Sequence, residues 1–165
     1  MTVPQLLKTL RNLDRWLALA GTHAERERLP VAQILQARLA PDQYAFARQV
    51  QVACDNAKLI PARLAGKEWP SHPDTESTLD DLRARVTSIA QFVETFQRAD
   101  FEEARERRIT LPWMQAGQWL RGEEYLVQFA LPNFYFHVVT AYAILRHVGV
   151  QLGKNDYLGE LPIRD

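Results

Sequence analysis

The sequence predicts an all-α domain: a four-helix bundle with a short irregular or two-stranded insert between the third and fourth helices. Apolar residues recur at three- and four-residue steps in four long segments. Glycine and proline punctuate the stretches between them. The apolar and charged fractions, 47% and 24%, are those of a folded globular chain. At 165 residues the chain suits one domain, 1–165, and a domain of this size buries roughly 70% of its unfolded surface.

The first helix is expected from Pro4 to Thr22. Leu6, Leu10, Leu13, Leu17 and Ala20 share one face, Pro4 suits a first turn and Gly21 an end. Pro30 opens a short helical turn through Gln36. The second helix runs from Pro41 to Gly66 with the stripe Phe46, Val50, Ala53, Ala57, Ile60 and Leu64, and Pro61 removes one backbone donor near its end. A loop over Trp69 to Thr75 carries Pro70 and Pro73. The third helix has the cleanest period, Leu79, Leu82, Val86, Ile89, Val93 and Phe96, with Ser77 or Thr78 placed to cap it. From Asp100 to Arg121 the period fails. Ile109 to Pro112 and Gln115 to Leu120 suit two short strands turning near Ala116-Gly117. The fourth helix spans Gly122 to Val148, is apolar on more than one side, and stops at Gly149. An apolar perimeter of that kind predicts a helix buried by its neighbours.

Twenty basic residues balance twenty acidic ones, so no net field draws nucleic acid or an anionic membrane. No uncharged apolar run reaches the ~18 residues of a membrane span. Charges at Lys8, Arg11, Asp14 and Arg15 interrupt any signal-peptide core. One cysteine, Cys54, forms no disulfide within the chain, and a cytoplasmic location is expected.

The anomaly lies in the fourth helix. Its stripe Leu126 and Ala130 continues through Asn133 and His137 before returning to Ala141 and Ile144. Two polar side chains one turn apart therefore face the interior, which costs free energy unless they find partners. Asn56, at the edge of the second helix's stripe, is the expected partner. Asp55 lies further round, toward solvent, and is a candidate orienting carboxylate. Phe134 and Tyr142 are nearby aromatics. A hydrogen-bonded core pair and a ligand pocket both fit this pattern. His147 suits the helix C-terminus, His23 and His72 fall in loops, and Cys54 has no activating neighbour.

The segment ALPNFYFHVVTAYAILRHVGVQLGKNDYLG, Ala130 to Gly159, resembles the C-terminal signature of a domain-of-unknown-function branch of the DinB-like superfamily. LQARLAPDQYAFARQVQVACDNAKLIPARLAG, Leu35 to Gly66, is similar to that branch's second helix, and ITLP follows the third. The resemblance implies a four-helix bundle, often a homodimer. Many members hold a divalent metal, zinc or nickel, with three histidines, and some are thiol-dependent transferases or isomerases. By position those ligands fall at Asn56, Asn133 and His137, of which only His137 is histidine; the closer branch commonly has Asp-His where this chain has Asp55-Asn56. One imidazole and two neutral amides are a poor set for a transition metal, so no cofactor is expected.

The site expected is a small-molecule pocket of Asn56, Asn133, His137, Asp55 and Tyr142, with His137 its one strong metal donor. A metal- or thiol-dependent transferase or isomerase, and a dimeric interaction protein without catalysis, are the alternatives. Nucleic acid and membrane are not expected partners.

Overall fold

A computed structural model describes residues 2–164. Its frame is four long helices: α1 (Thr2–Glu27), α3 (Phe46–Ala65), α4 (Leu79–Glu94) and α6 (Leu131–His147). The short helices α2 (Val31–Gln36) and α7 (Lys154–Leu158) cover one end and one side. The expected stripes of the first three helices are inside; in that of the fourth, Ala130, His137, Ala141 and Ile144 are buried and Leu126 and Asn133 half-buried. On α3, for example, Phe46, Val50, Ala53 and Ala57 are fully buried, and Leu79, Leu82, Val86, Ile89, Val93 and Phe96 of the α4 stripe are all in the core.

Side-chain pairs give the helix directions. Arg11 meets Glu94, and Gly21 lies beside Leu79, so α1 and α4 are antiparallel. Gln51 meets Glu76 and Asp55 meets Arg85, so α3 and α4 run the same way. Asn56 meets Asn133, and Gln49 meets His137, so α6 returns against α3. The bundle is thus up-down-down-up, a layout with a long crossover connection; residues 66–78 travel back along the bundle to start α4.

Several element ends differ from expectation. α1 passes Gly21 and reaches Glu27, because His23 and Ala24 extend its buried face. Arg28, at φ 53°, ends it, and Leu29 N–H closes on the Ala24 carbonyl at 2.8 Å. α3 starts at Phe46, since residues 41–45 form a turn whose exit bonds Phe46 N–H to the Ala37 carbonyl. Pro61 is accommodated within α3, which closes on Gly66 in the left-handed region. Thr78 and Asp81 cap α4 reciprocally, as expected.

The insert contains a 3₁₀ turn, Arg98–Phe101, and a two-stranded antiparallel pair, β1 (Arg108–Ile109) and β2 (Leu120–Arg121). These strands are shorter than the expected Ile109–Pro112 and Gln115–Leu120. Pro112 has no N–H to extend the ladder, and tight turns at Leu111–Met114 and Gln115–Gln118 occupy the remainder.

The last long helix is continuous from a turn, α5 (Gly122–Glu124), through a π-helical stretch, Tyr125–Ala130, into α6. The wide turns precede Pro132, whose ring would collide with the Gln128 carbonyl in a regular α-helix. The helix expected to be buried by its neighbours has Phe134, Val138, Ala141, Ile144 and Leu145 in the core, but Phe136 is 54% and Val139 45% exposed. Each helix in a ring of four retains an outer flank, and on α6 that flank is apolar.

Candidate functional site

Gln49 lies in the first turn of α3 and Asn56 two turns further on, seven residues apart and thus on one face. Opposite them, on antiparallel α6, stand His137 and Asn133. The result is two polar rungs in an otherwise apolar seam. Asn133 Nδ2 donates to Asn56 Oδ1 at 3.0 Å, and His137 Nδ1 is 2.7 Å from Gln49 Oε1.

These bonds settle the chemistry of the imidazole. Gln49 Nε2 donates to the Tyr44 carbonyl at 3.2 Å, which turns its oxygen toward His137. An amide oxygen only accepts, so Nδ1 carries the proton and Nε2 keeps its lone pair. Burial, and then the charge of nearby Arg48, hold the His137 pKa below its ordinary value of 6.5, favouring the neutral ring. His137 is 7% exposed, whereas Asn56 and Asn133 are half-buried. Asn56 Nδ2 is itself buried without a hydrogen-bond partner. The seam therefore offers one unsatisfied donor, Asn56 Nδ2, and one acceptor, His137 Nε2, with no hydrogen-bond partner among the described residues. Tyr44 stacks on the His137 ring at 6.3 Å between centroids, and Phe136 meets it edge-on at 5.2 Å.

Asn56, Asn133 and His137 are brought together as expected. Asp55 and Tyr142 are not. Asp55 turns to the α4 side, where its carboxylate is 3.0 Å from both Arg85 and Lys58. Those two cations compensate it, so it orients no histidine. Tyr142 packs with Trp16 and Tyr157 in an aromatic trio, with centroids 5.5 and 5.7 Å from its own. The C-terminal segment closes over that trio: Asn12 Nδ2 donates to the Tyr157 carbonyl and Trp16 Nε1 to that of Asp156. Tyr142 thus helps fasten the C-terminal segment, including α7, onto α1.

His23 is not a surface loop residue: it lies within α1, buried, with Nε2 3.1 Å from the Val148 carbonyl. His72 is in the crossover, half-buried between Lys58 and Ser88. His147 is exposed at the end of α6. Cys54 is fully buried, and burial pushes its thiol up to about 12, so it is no nucleophile at neutral pH.

Gln49 was missed in the sequence because Val50 beside it carries the apolar stripe, and a glutamine next to a stripe residue reads as solvated. The available signal was spacing: an i, i+4 polar pair on one helix calls for polar partners seven apart on its antiparallel neighbour. The other omission is the cluster around Arg85. Its side chain is 1% exposed, and the guanidinium meets Asp55, Asp74 and Glu76 at 2.9–3.0 Å. Burial alone would lower its pKa, but Glu76 and Asp55 hold it above the ordinary value.

The donors do not suit a transition metal. His137 offers one nitrogen, and Asn56 Oδ1 already accepts from Asn133. No three His, Cys, Asp or Glu side chains among the described residues are placed to hold a metal ion.

The comparisons with known proteins agree with the fold. Residues 1–158 match the family described as a domain of unknown function, DUF1993. The crystal structure of a DinB family member protein from Shewanella denitrificans is 44% identical in sequence. The alignment covers 99% of this chain and 92% of that one, with a TM-score of 0.95. No curated protein matches. No helix among the described residues is long and apolar enough to cross a membrane.

Proposed function

The chain belongs to the DUF1993 family within the DinB-like bundles, and from its α3–α6 seam we propose that it binds a small polar molecule without a transition metal. The observation that carries this reading is the fixed tautomer of His137. Gln49 holds the proton on Nδ1, which leaves Nε2 as an acceptor in the same α3–α6 seam as the unpartnered Asn56 donor. A ligand with both a donor and an acceptor, such as a primary amide or lactam, satisfies both groups, and Tyr44 and Phe136 supply apolar walls.

The test is an NMR titration of ¹⁵N-labelled protein with nicotinamide and 2-pyrrolidone. Saturable shifts centred on Gln49, Asn56 and His137, abolished by His137→Leu, are expected. Shifts absent or centred elsewhere would refute the proposal. Elemental analysis of protein prepared without chelator or histidine tag separates the metal-dependent alternative: stoichiometric zinc or nickel would favour it.

A second reading, a homodimeric interaction protein, is supported by the exposure of Phe136 and Val139 on the outer flank of α6 and of Tyr44 beside His137. Light scattering, with Phe136→Glu as the perturbing variant, tests it. A dimer dissociated by that substitution is the outcome this reading requires.

A further inference from the structure

A cleft of about 820 Å³ opens at the end of the bundle where α1 begins and α3 and α4 end. It shares no lining residue with the His137 seam. Its origin lies in the uneven helix lengths. α4 stops at Glu94 and the chain leaves the bundle through the 3₁₀ turn, so side chains of neighbouring helices are left facing a gap. The walls are aliphatic and aromatic, chiefly Ile60, Pro61, Leu64, Phe96 and Leu126. The volume is that of a site for a small organic ligand.

Charge at the rim narrows the class of ligand. Arg105 is bridged by Glu123 at 2.7 Å. Arg98, also on the rim, has no carboxylate within 4.0 Å among the described residues. An apolar interior with one uncompensated guanidinium at its mouth is complementary to an apolar chain ending in a single negative charge. We infer that this cleft binds an aliphatic monocarboxylate of medium chain length, its tail against Leu64 and Leu126 and its head group at Arg98.

The experiment uses decanoate, octanoate, acetate and decan-1-ol as probes, below their micellar and solubility limits. Binding is followed by methyl NMR and calorimetry at low salt. Decanoate is expected to shift the methyls of Leu64 and Leu126 saturably. Removing two methylenes, as in octanoate, should weaken binding roughly tenfold, and acetate should not bind. Arg98 is exposed, so Arg98→Gln leaves the core intact. It should weaken decanoate about threefold to fivefold, the size of a solvent-exposed ion pair, with Arg98→Lys restoring most of the loss and decan-1-ol unaffected. No saturable binding, shifts centred away from the cleft, or equal affinity for decanoate and decan-1-ol would overturn the inference.

Discussion

At the scale of residues, His137 and Gln49 act as one unit, and Asn133 with Asn56 as another. The two should respond differently to an apolar replacement. Asn133 is half-buried, and its amide spans to an Asn56 that already has an unpaired nitrogen. Asn133→Leu is therefore expected to leave the melting temperature nearly unchanged or to raise it. His137→Leu strands the buried Gln49 oxygen and should cost about 1–3 kcal/mol, part of which Gln49→Met in the double variant should recover. Large losses in both single variants would mark a packed core pair and remove the pocket reading.

The same histidine gives stability a pH dependence with a definite sign. Burial, with Arg48, depresses its folded pKa below 6.5. On acidification below the ordinary value the unfolded chain takes up a proton that the folded ring refuses, so stability falls through that window. His72, depressed by burial and Lys58, adds to the effect. Urea denaturation at about pH 7.5 and about pH 5.5 should show a smaller drop for His137→Leu than for the parent. An identical drop in both would mean that His137 titrates normally. Asn133 and His137 were readable in the sequence because they break an apolar stripe, and Asn56 because it lies at the edge of one. Asp55 and Tyr142 were misplaced because adjacency along a helix says little about which neighbour a side chain faces.

At the scale of elements, the crossover over residues 66–78 is the segment that the apolar pattern leaves undetermined. It is fastened by charge. Arg85 on α4 reaches Glu76 and Asp74 and also donates to the Pro73 carbonyl at 3.2 Å, while Arg48 on α3 pairs with Asp74. In the sequence these residues read as solvated charges, since nothing in their spacing announces burial. Removing the central cation leaves Glu76 and Asp55 without their guanidinium, a loss of about 3–5 kcal/mol for a buried pair. Arg85→Ala should thus be strongly destabilising and should raise hydrogen exchange or proteolysis in residues 66–78. A change below about 1 kcal/mol would place the cluster among ordinary surface ion pairs. The π-helical stretch before Pro132 was equally hidden. The proline was visible, but a helix can answer it with a kink, a break or a wider turn, and only the packing of Tyr125 and Ala130 into the core selects the last.

At the scale of the whole molecule, four apolar stripes fix the class of fold, because four helices each burying one face have few ways to share a core. They do not fix the order of helices around it. Polar pairs that a stripe cannot show, Asn56–Asn133 and Gln49–His137, mark α6 as the neighbour of α3. The seam where related bundles are expected to gather metal ligands is thereby built from a neutral imidazole and three amides. We infer that this seam works by hydrogen bonding. The most direct measurement is a long-range ¹H–¹⁵N correlation of the His137 ring at neutral pH, before and after one equivalent of Zn²⁺. The expected spectrum has a protonated Nδ1 and an unprotonated Nε2, both unmoved by the metal. A proton on Nε2, or a stoichiometric shift of that nitrogen with zinc, would contradict it.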